Sequence, residues 1–228
     1  MTALQIGAIL FEKMDQTDFT GPFEVLSHLP DSIFHVIGKD KAPIRDTRGL
    51  ILTPEVTFEE APALDLLVVP GGFGVNPLME DETVLSFVRA QAAGARMILS
   101  VCTGALLCGA AGLLKGRRAT THWASHHLLG YFGAIPVHER VVIDGNFVSA
   151  AGVTAGFDGA LQVAALLRGD SAAQEIQLSL EYAPEPPFAS GSPATAPPKV
   201  LAAAQAALRD VTAARLEIAK RVAERLGL

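Results

Sequence analysis

The chain is poor in cysteine, in aromatic residues and in charge, and each shortage excludes something. Its two cysteines, Cys102 and Cys108, are too few and too close in sequence to staple a domain, so a reducing, cytoplasmic setting is expected. Lysine and arginine are scattered and the net charge is −6. With no basic stripe to neutralise phosphates, nucleic acid is not expected as a partner. No apolar run approaches the roughly 20 residues that cross a bilayer, so no membrane is expected either. The opening Met1-Thr-Ala-Leu-Gln-Ile-Gly lacks the positive region of a secretory signal. His122, His126, His127 and His138 fit no familiar zinc spacing, and neither a metal nor a cofactor is expected.

What is present is a hydrophobic half of a 228-residue chain, enough for one substantial α/β core. Leu4–Leu10 reads as a buried first strand, Ile33–Ile37 as a second and Leu50–Leu52 as a short third. Thr20 is a fitting N-cap for the first helix, with Pro22 in its first turn. Leu64-Asp-Leu-Leu-Val-Val-Pro70 is the clearest central strand, because both faces are apolar, as a parallel sheet covered by helices requires. Beyond the loop Pro70-Gly71-Gly72-Phe73-Gly74, the pattern predicts a helix over 81–93, a strand over 96–101 and a helix over 103–114. Asp144-Gly145 makes the tight turn of a hairpin over 141–148. Helices follow over 154–167 and 171–182. Residues 184–198 hold six prolines and read as coil, and 200–226 as one alanine-rich helix whose stripe is Val200, Ala204, Ala207, Val211, Ile218 and Val222. Strands alternating with helices imply a doubly wound, mainly parallel sheet flanked by helices, with a small hairpin and a long C-terminal helix. The expected units are an α/β domain over 1–183, a Pro-rich connector over 184–198, and a helix over 199–228 packed on the domain or on a partner.

Chemistry concentrates at the carboxyl edge of that sheet, where open α/β folds bind ligands. In Ser100-Val-Cys102-Thr103-Gly104 a cysteine stands where a buried strand turns into a helix. Such an elbow presents its side chain, and helix N-terminal amides favour a thiolate. A buried structural thiol would occupy the same position, and location alone does not decide. Cys108, among Leu106, Leu107 and Ala110, reads as core. The glycine loop is either a tight turn or a set of amides aimed at developing negative charge. Asp18 either caps a helix or exchanges protons with Cys102, in which case the two acids share one proton. His122 is either structural or a base.

The pieces Asp18-Phe-Thr-Gly-Pro, Val69-Pro-Gly-Gly72, Ser100-Val-Cys102-Thr103-Gly104 and Ala119-Thr-Thr-His122-Trp resemble the ThiJ/PfpI superfamily, with its class I glutamine amidotransferase-like, flavodoxin-like fold. The resemblance covers essentially the whole chain. Ile135-Pro-Val-His-Glu-Arg-Val-Val, Gln177-Leu-Ser-Leu-Glu-Tyr-Ala-Pro, Pro186-Pro-Phe-Ala-Ser-Gly-Ser-Pro and the terminal helix are most similar to the branch that hydrates isocyanides. That resemblance implies a lyase acting on a small molecule and assembling as a homodimer. It implies Cys102 as nucleophile, Asp18 as its acid/base partner, and Thr103 and Gly72 lining the site through hydroxyl or backbone amide. The implied reaction runs through a thioimidate on Cys102, Asp18 giving a proton at the nitrogen side and then taking one from water. Thr103 stands where peptidase-like members have histidine, which counts against a cysteine–histidine hydrolase. Ala150-Ala151-Gly152 stands where similar sequences are richer in glycine, which implies a stiffer loop. Other readings of the same site are a redox-sensing or protective protein, another hydrolase or glyoxalase-like activity, and the ligand-binding half of a transcription regulator.

Overall fold

The computed structural model describes residues 3–228; Met1 and Thr2, part of the first expected unit and of the segment read for a secretory signal, lie outside the described residues. The strands are β1 (Leu4–Leu10), β2 (Ser32–Gly38), β3 (Ile44–Arg45), β4 (Ile51–Leu52), β5 (Val56–Thr57), β6 (Leu66–Val69), β7 (Met97–Val101), β8 (Arg118–Ala119), β9 (Ile135–Pro136), β10 (Val141–Asp144) and β11 (Phe147–Ala150). Seven of them form one sheet in the order β10-β11-β7-β6-β1-β2-β5. Every pair in it is parallel except the hairpin β10–β11. Its middle strand is β6, all four residues of which are buried, as the two-faced apolar pattern predicted.

The helices are α1 (Gln16–Leu26), α2 (Val75–Leu78), α3 (Glu82–Gly94), α4 (Gly104–Ala110), α5 (Ala155–Arg168), α6 (Asp170–Ser179) and α7 (Pro198–Leu226). A run of 3-10 turns, Trp123–Phe132, lies under α7. Among the described residues no helix is long and apolar enough to cross a membrane.

Three boundaries differ from the sequence reading by three residues or more. The first helix starts at Gln16, not after Thr20, because the Asp15 carboxylate caps it by accepting the Thr17 N–H at 3.0 Å. Pro22 therefore sits inside the helix, where its ring packs against α5: a Cβ on Gly156 would lie 3.3 Å from it. Asp18 becomes part of the first helical turn rather than a residue ahead of it. The elbow helix α4 stops at Ala110, short of Leu114, because Gly112 takes φ +83° and turns the chain out. Helix α6 ends at Ser179, just before Glu181 adopts φ +49°.

Candidate active site

Five elements converge at the carboxyl edge of β1, β6 and β7. Strand β7 delivers Cys102 at its end, with the left-handed φ of +54°. A non-glycine residue held there is strained by roughly 1–3 kcal/mol, and such strain persists only where surrounding bonds over-determine it. Here they do: the Cys102 N–H donates to the Ala150 carbonyl at 3.0 Å, and its carbonyl accepts the Thr121 hydroxyl at 2.6 Å. Gly104 is required two residues on, since a Cβ there would collide with the Val69 carbonyl oxygen.

Helix α1 brings Asp18 to the same point. The side chain has no exposed surface. Oδ2 accepts the Gly71 N–H at 3.0 Å, whereas Oδ1 is buried without a conventional hydrogen-bond partner. Burial first, and then the charge of Asp15, push the Asp18 carboxyl up to about 8, against the pull of Cys102 and the Gly71 amide. Asp18 is therefore a protonated acid at neutral pH. The Cys102 thiol is also pushed up, by burial first and then by Asp18, while the Thr103 amide pulls it down. The amide effect has the expected direction, but α4 is short and desolvation outweighs it. Each of the two acids therefore holds its proton more tightly than it would in water.

Of the two readings of the glycine loop, the structure shows a tight turn whose Gly71 and Gly72 amides are taken up by neighbouring side chains. Thr103 Oγ1 accepts the Gly72 N–H at 2.9 Å and donates to the Gly72 carbonyl at 3.1 Å. With the Gly71 N–H on Asp18, both loop amides are engaged, and neither is free to face an oxyanion. The loop is a clamp that fixes Asp18 and Thr103 against the elbow. It is itself held by an antiparallel bridge between Gly72 and Met14 and by the Asp15 N–H donating to the Gly71 carbonyl at 2.9 Å. A Cβ on Gly71 would stand 2.5 Å from the Thr103 nitrogen, so the close approach demands glycine.

A cavity of about 250 Å³ opens over the elbow, and Cys102, Thr103, Gly72, His122, Val153 and Arg215 are among its lining residues. Of the predicted site residues, Cys102, Thr103 and Gly72 face it directly, and Asp18 stands behind them against Cys102. His122 accepts the Ala124 N–H on Nδ1 at 3.3 Å, which leaves the ring proton on Nε2. Burial and the Arg215 charge lower it to about 4, so it is neutral and uncharged donor chemistry is what it can offer. His126 and His138 stack with centroids 3.7 Å apart, and among the described residues no group of three or more His, Cys, Asp or Glu is placed to hold a metal. Cys108 is fully buried in the core and its thiol is pushed up to about 12 by burial.

Sequence reasoning missed Arg215, on α7. A signal for it exists: Leu208, Val211, Arg215, Ala219, Val222 and Leu226 follow helical spacing, and an arginine interrupts an otherwise apolar stripe. Of the stripe named from sequence, Val222 is buried but Val200 and Ala207 are exposed, so the buried face is rotated from the expected one.

A strained elbow cysteine, a buried acid that keeps its proton and a glycine clamp, on a doubly wound sheet, define a class of α/β proteins with a nucleophilic cysteine at the sheet edge. The chain belongs to the DJ-1/PfpI family, whose sequence profile matches residues 5–166. It is 54% identical over 226 residues to the isonitrile hydratase of Pseudomonas putida, a match covering 99% of both chains. A crystal structure of a ThiJ/PfpI family protein from Pseudomonas syringae superposes with a TM-score of 0.93 at 38% identity, covering 96% of this chain and 91% of that one. The transcriptional regulator GbdR of Pseudomonas aeruginosa is 32% identical over 127 residues, which are 55% of this chain but 34% of the regulator.

Proposed function

We propose that this protein hydrates isocyanides to N-formamides, with Cys102 as the nucleophile and Asp18 as the acid and base. The observation that carries the reading is the pairing of a strained, cavity-facing Cys102 with a buried Asp18 whose Oδ1 has no other partner. The full-length similarity to an isonitrile hydratase supports the choice of substrate.

In the reactive form the pair holds one proton, on Asp18, and Cys102 is a thiolate. The sulfur attacks the terminal carbon of R–N≡C, and the new carbon–sulfur bond forms as Asp18 gives its proton to that same carbon. The product is the thioimidate R–N=CH–S–Cys102. Atom balance thus places the first proton on carbon, not on the nitrogen side as expected from the sequence. Water then adds to the carbon while the Asp18 carboxylate takes one of its protons. The carbon–nitrogen π pair moves to nitrogen, which Asp18 protonates. Collapse of R–NH–CH(OH)–S–Cys102 breaks the carbon–sulfur bond, returns the electron pair to sulfur and the hydroxyl proton to Asp18, and releases R–NH–CHO. Isocyanide and water are consumed, and the site is restored. One carboxyl alternating between acid and base suits a group tuned towards neutrality.

Thr103 acts by holding the Gly72 loop rather than by touching the reacting atoms. The redox-sensing alternative calls for an exposed thiol, whereas Cys102 is 5% exposed. Cytoplasmic residence, which two free thiols suit, belongs to the proposal, as does a homodimer. Leu178, Phe188 and Val200 are exposed apolar side chains of the kind that a second copy would cover. Light scattering of the full chain reading one protomer mass would reject the dimer.

The test of the activity is formamide production from an aryl isocyanide. The wild type should turn over, and Cys102→Ala should be silent. Turnover undiminished in Cys102→Ala rejects the scheme.

A further inference from the structure

The cavity contains a buried positive charge that the reaction scheme does not yet use. Arg215 is 3% exposed. Its Nε donates to Asn76 Oδ1 at 2.7 Å, Nη1 to the Ser125 hydroxyl at 2.7 Å and Nη2 to the Gly72 carbonyl at 3.4 Å. All three acceptors are neutral. Among the described residues no carboxylate lies within ion-pair distance of it. Guanidinium groups stay charged in proteins, and one buried without an anion is strongly disfavoured. Three neutral acceptors fix its orientation and leave its charge uncompensated.

We propose that Arg215 is the fixed counter-charge of the Cys102 thiolate, carried into the cavity by the C-terminal helix. Both residues line the same cavity, the charge of Cys102 favours the guanidinium, and a buried cation facing the same cavity is the kind of partner that favours a thiolate. The other charged or titratable groups around Cys102 do not supply this. Asp18, from α1, is neutral or negative, and Asp15, from the loop after β1, is an acid engaged in capping that helix. His122, from the 3-10 segment, is neutral. Arg48, from the loop between β3 and β4, is solvent-exposed, so its charge is screened. Arg215 is the buried cation of the set. It is a positioning residue: it acts on the sulfur through space and on the Gly72 clamp through its carbonyl. Asn76 sets its orientation, for its Nδ2 donates to the Val211 carbonyl at 3.3 Å while Oδ1 accepts from the guanidinium. The terminal helix, on this view, is part of the site and not an appendage to it.

The inference rests on Cys102 being the nucleophile, not on the identity of the substrate, so its test reads the thiol. The rate of Cys102 alkylation by iodoacetamide, localised by peptide mass, is followed against pH in the full-length protein. Arg215→Gln should raise the midpoint by about one unit, slowing alkylation about tenfold at neutral pH. Arg215→Lys, which keeps the charge, should recover most of the rate. Asn76→Asp, which sets a carboxylate against the guanidinium without opening a cavity, should slow alkylation like Arg215→Gln and serves where that variant does not fold. If kcat is measured with an isocyanide, it should fall in parallel, with KM little changed. Loss of isocyanide turnover in the wild type, with the alkylation shifts intact, would count against the substrate and leave the counter-charge standing. Folded Arg215→Gln or Asn76→Asp protein with the wild-type alkylation profile overturns the proposal.

Discussion

Replacing Asp18 by asparagine should stop turnover and, at neutral pH, make the protein more stable. The carboxyl is pushed from 3.8 to about 8, chiefly because burial penalises its charged form. A folded-state value above the unfolded one means that the native state binds the proton more tightly. The resulting stabilisation is fully present below about pH 4 and is lost as pH rises towards about pH 8. Each unit in that window removes about 1.4 kcal/mol, so between about pH 5 and pH 7 the wild type loses about 3 kcal/mol through this group. Sharing of the proton with Cys102 makes that a ceiling. Asparagine is nearly isosteric, can still accept the Gly71 N–H, and has no proton to lose. Urea unfolding of both proteins across that range should show the variant's advantage growing with pH. A difference that stays flat between about pH 5 and pH 7 would mean that Asp18 titrates as an ordinary carboxylate, and the acid–base role would fail with it.

The other predictions concern the scaffold. Gly104→Ala forces a Cβ onto the Val69 carbonyl and should cost at least about 3 kcal/mol in thermal or denaturant unfolding, since every group that the Cβ meets is backbone. Thr103→Val removes the acceptor of the buried Gly72 N–H and should cost about 1–3 kcal/mol, with a fall in turnover larger than any change in KM. His122→Gln should leave the pH dependence of kcat/KM between about pH 5.5 and pH 7.5 unshifted, because His122 titrates near 4. A lost inflection near the ordinary histidine value would contradict that. In the wild type, kcat/KM should decline above about pH 8, where Asp18 gives up its proton.

The sheet was legible because its strands carry the two signals that burial imposes. β6 and β7 are apolar on both faces, and Asp144-Gly145 marks the hairpin. The elbow was legible because a cysteine at a strand-to-helix turn, followed by Gly104, is a local pattern. What the sequence hid was set by contacts between distant segments. Thr20-Gly-Pro22 is a stronger local start signal than Asp15, yet the chain around Met14 is tied to Gly72, and the helix begins there. The loop Gly71-Gly72 leaves a tight turn and free amides both open until Asp18 and Thr103, from two other elements, are seen to engage those amides. The desolvation that raises Cys102 and Asp18 is a property of the packed interior and leaves no trace in residue order. Arg215 goes unread because the stripe drawn from the sequence runs through Val200 and Ala207, whereas the face that turns inward carries Arg215, Ala219 and Val222.

Rapid quenching of the protein with an aryl isocyanide, followed by intact and peptide mass analysis, tests most directly whether a sulfur adduct lies on the path. The account predicts Cys102 carrying the mass of one isocyanide, formed before formamide appears and decaying as it accumulates. Formamide accumulating while Cys102 stays unmodified at every time point would contradict it.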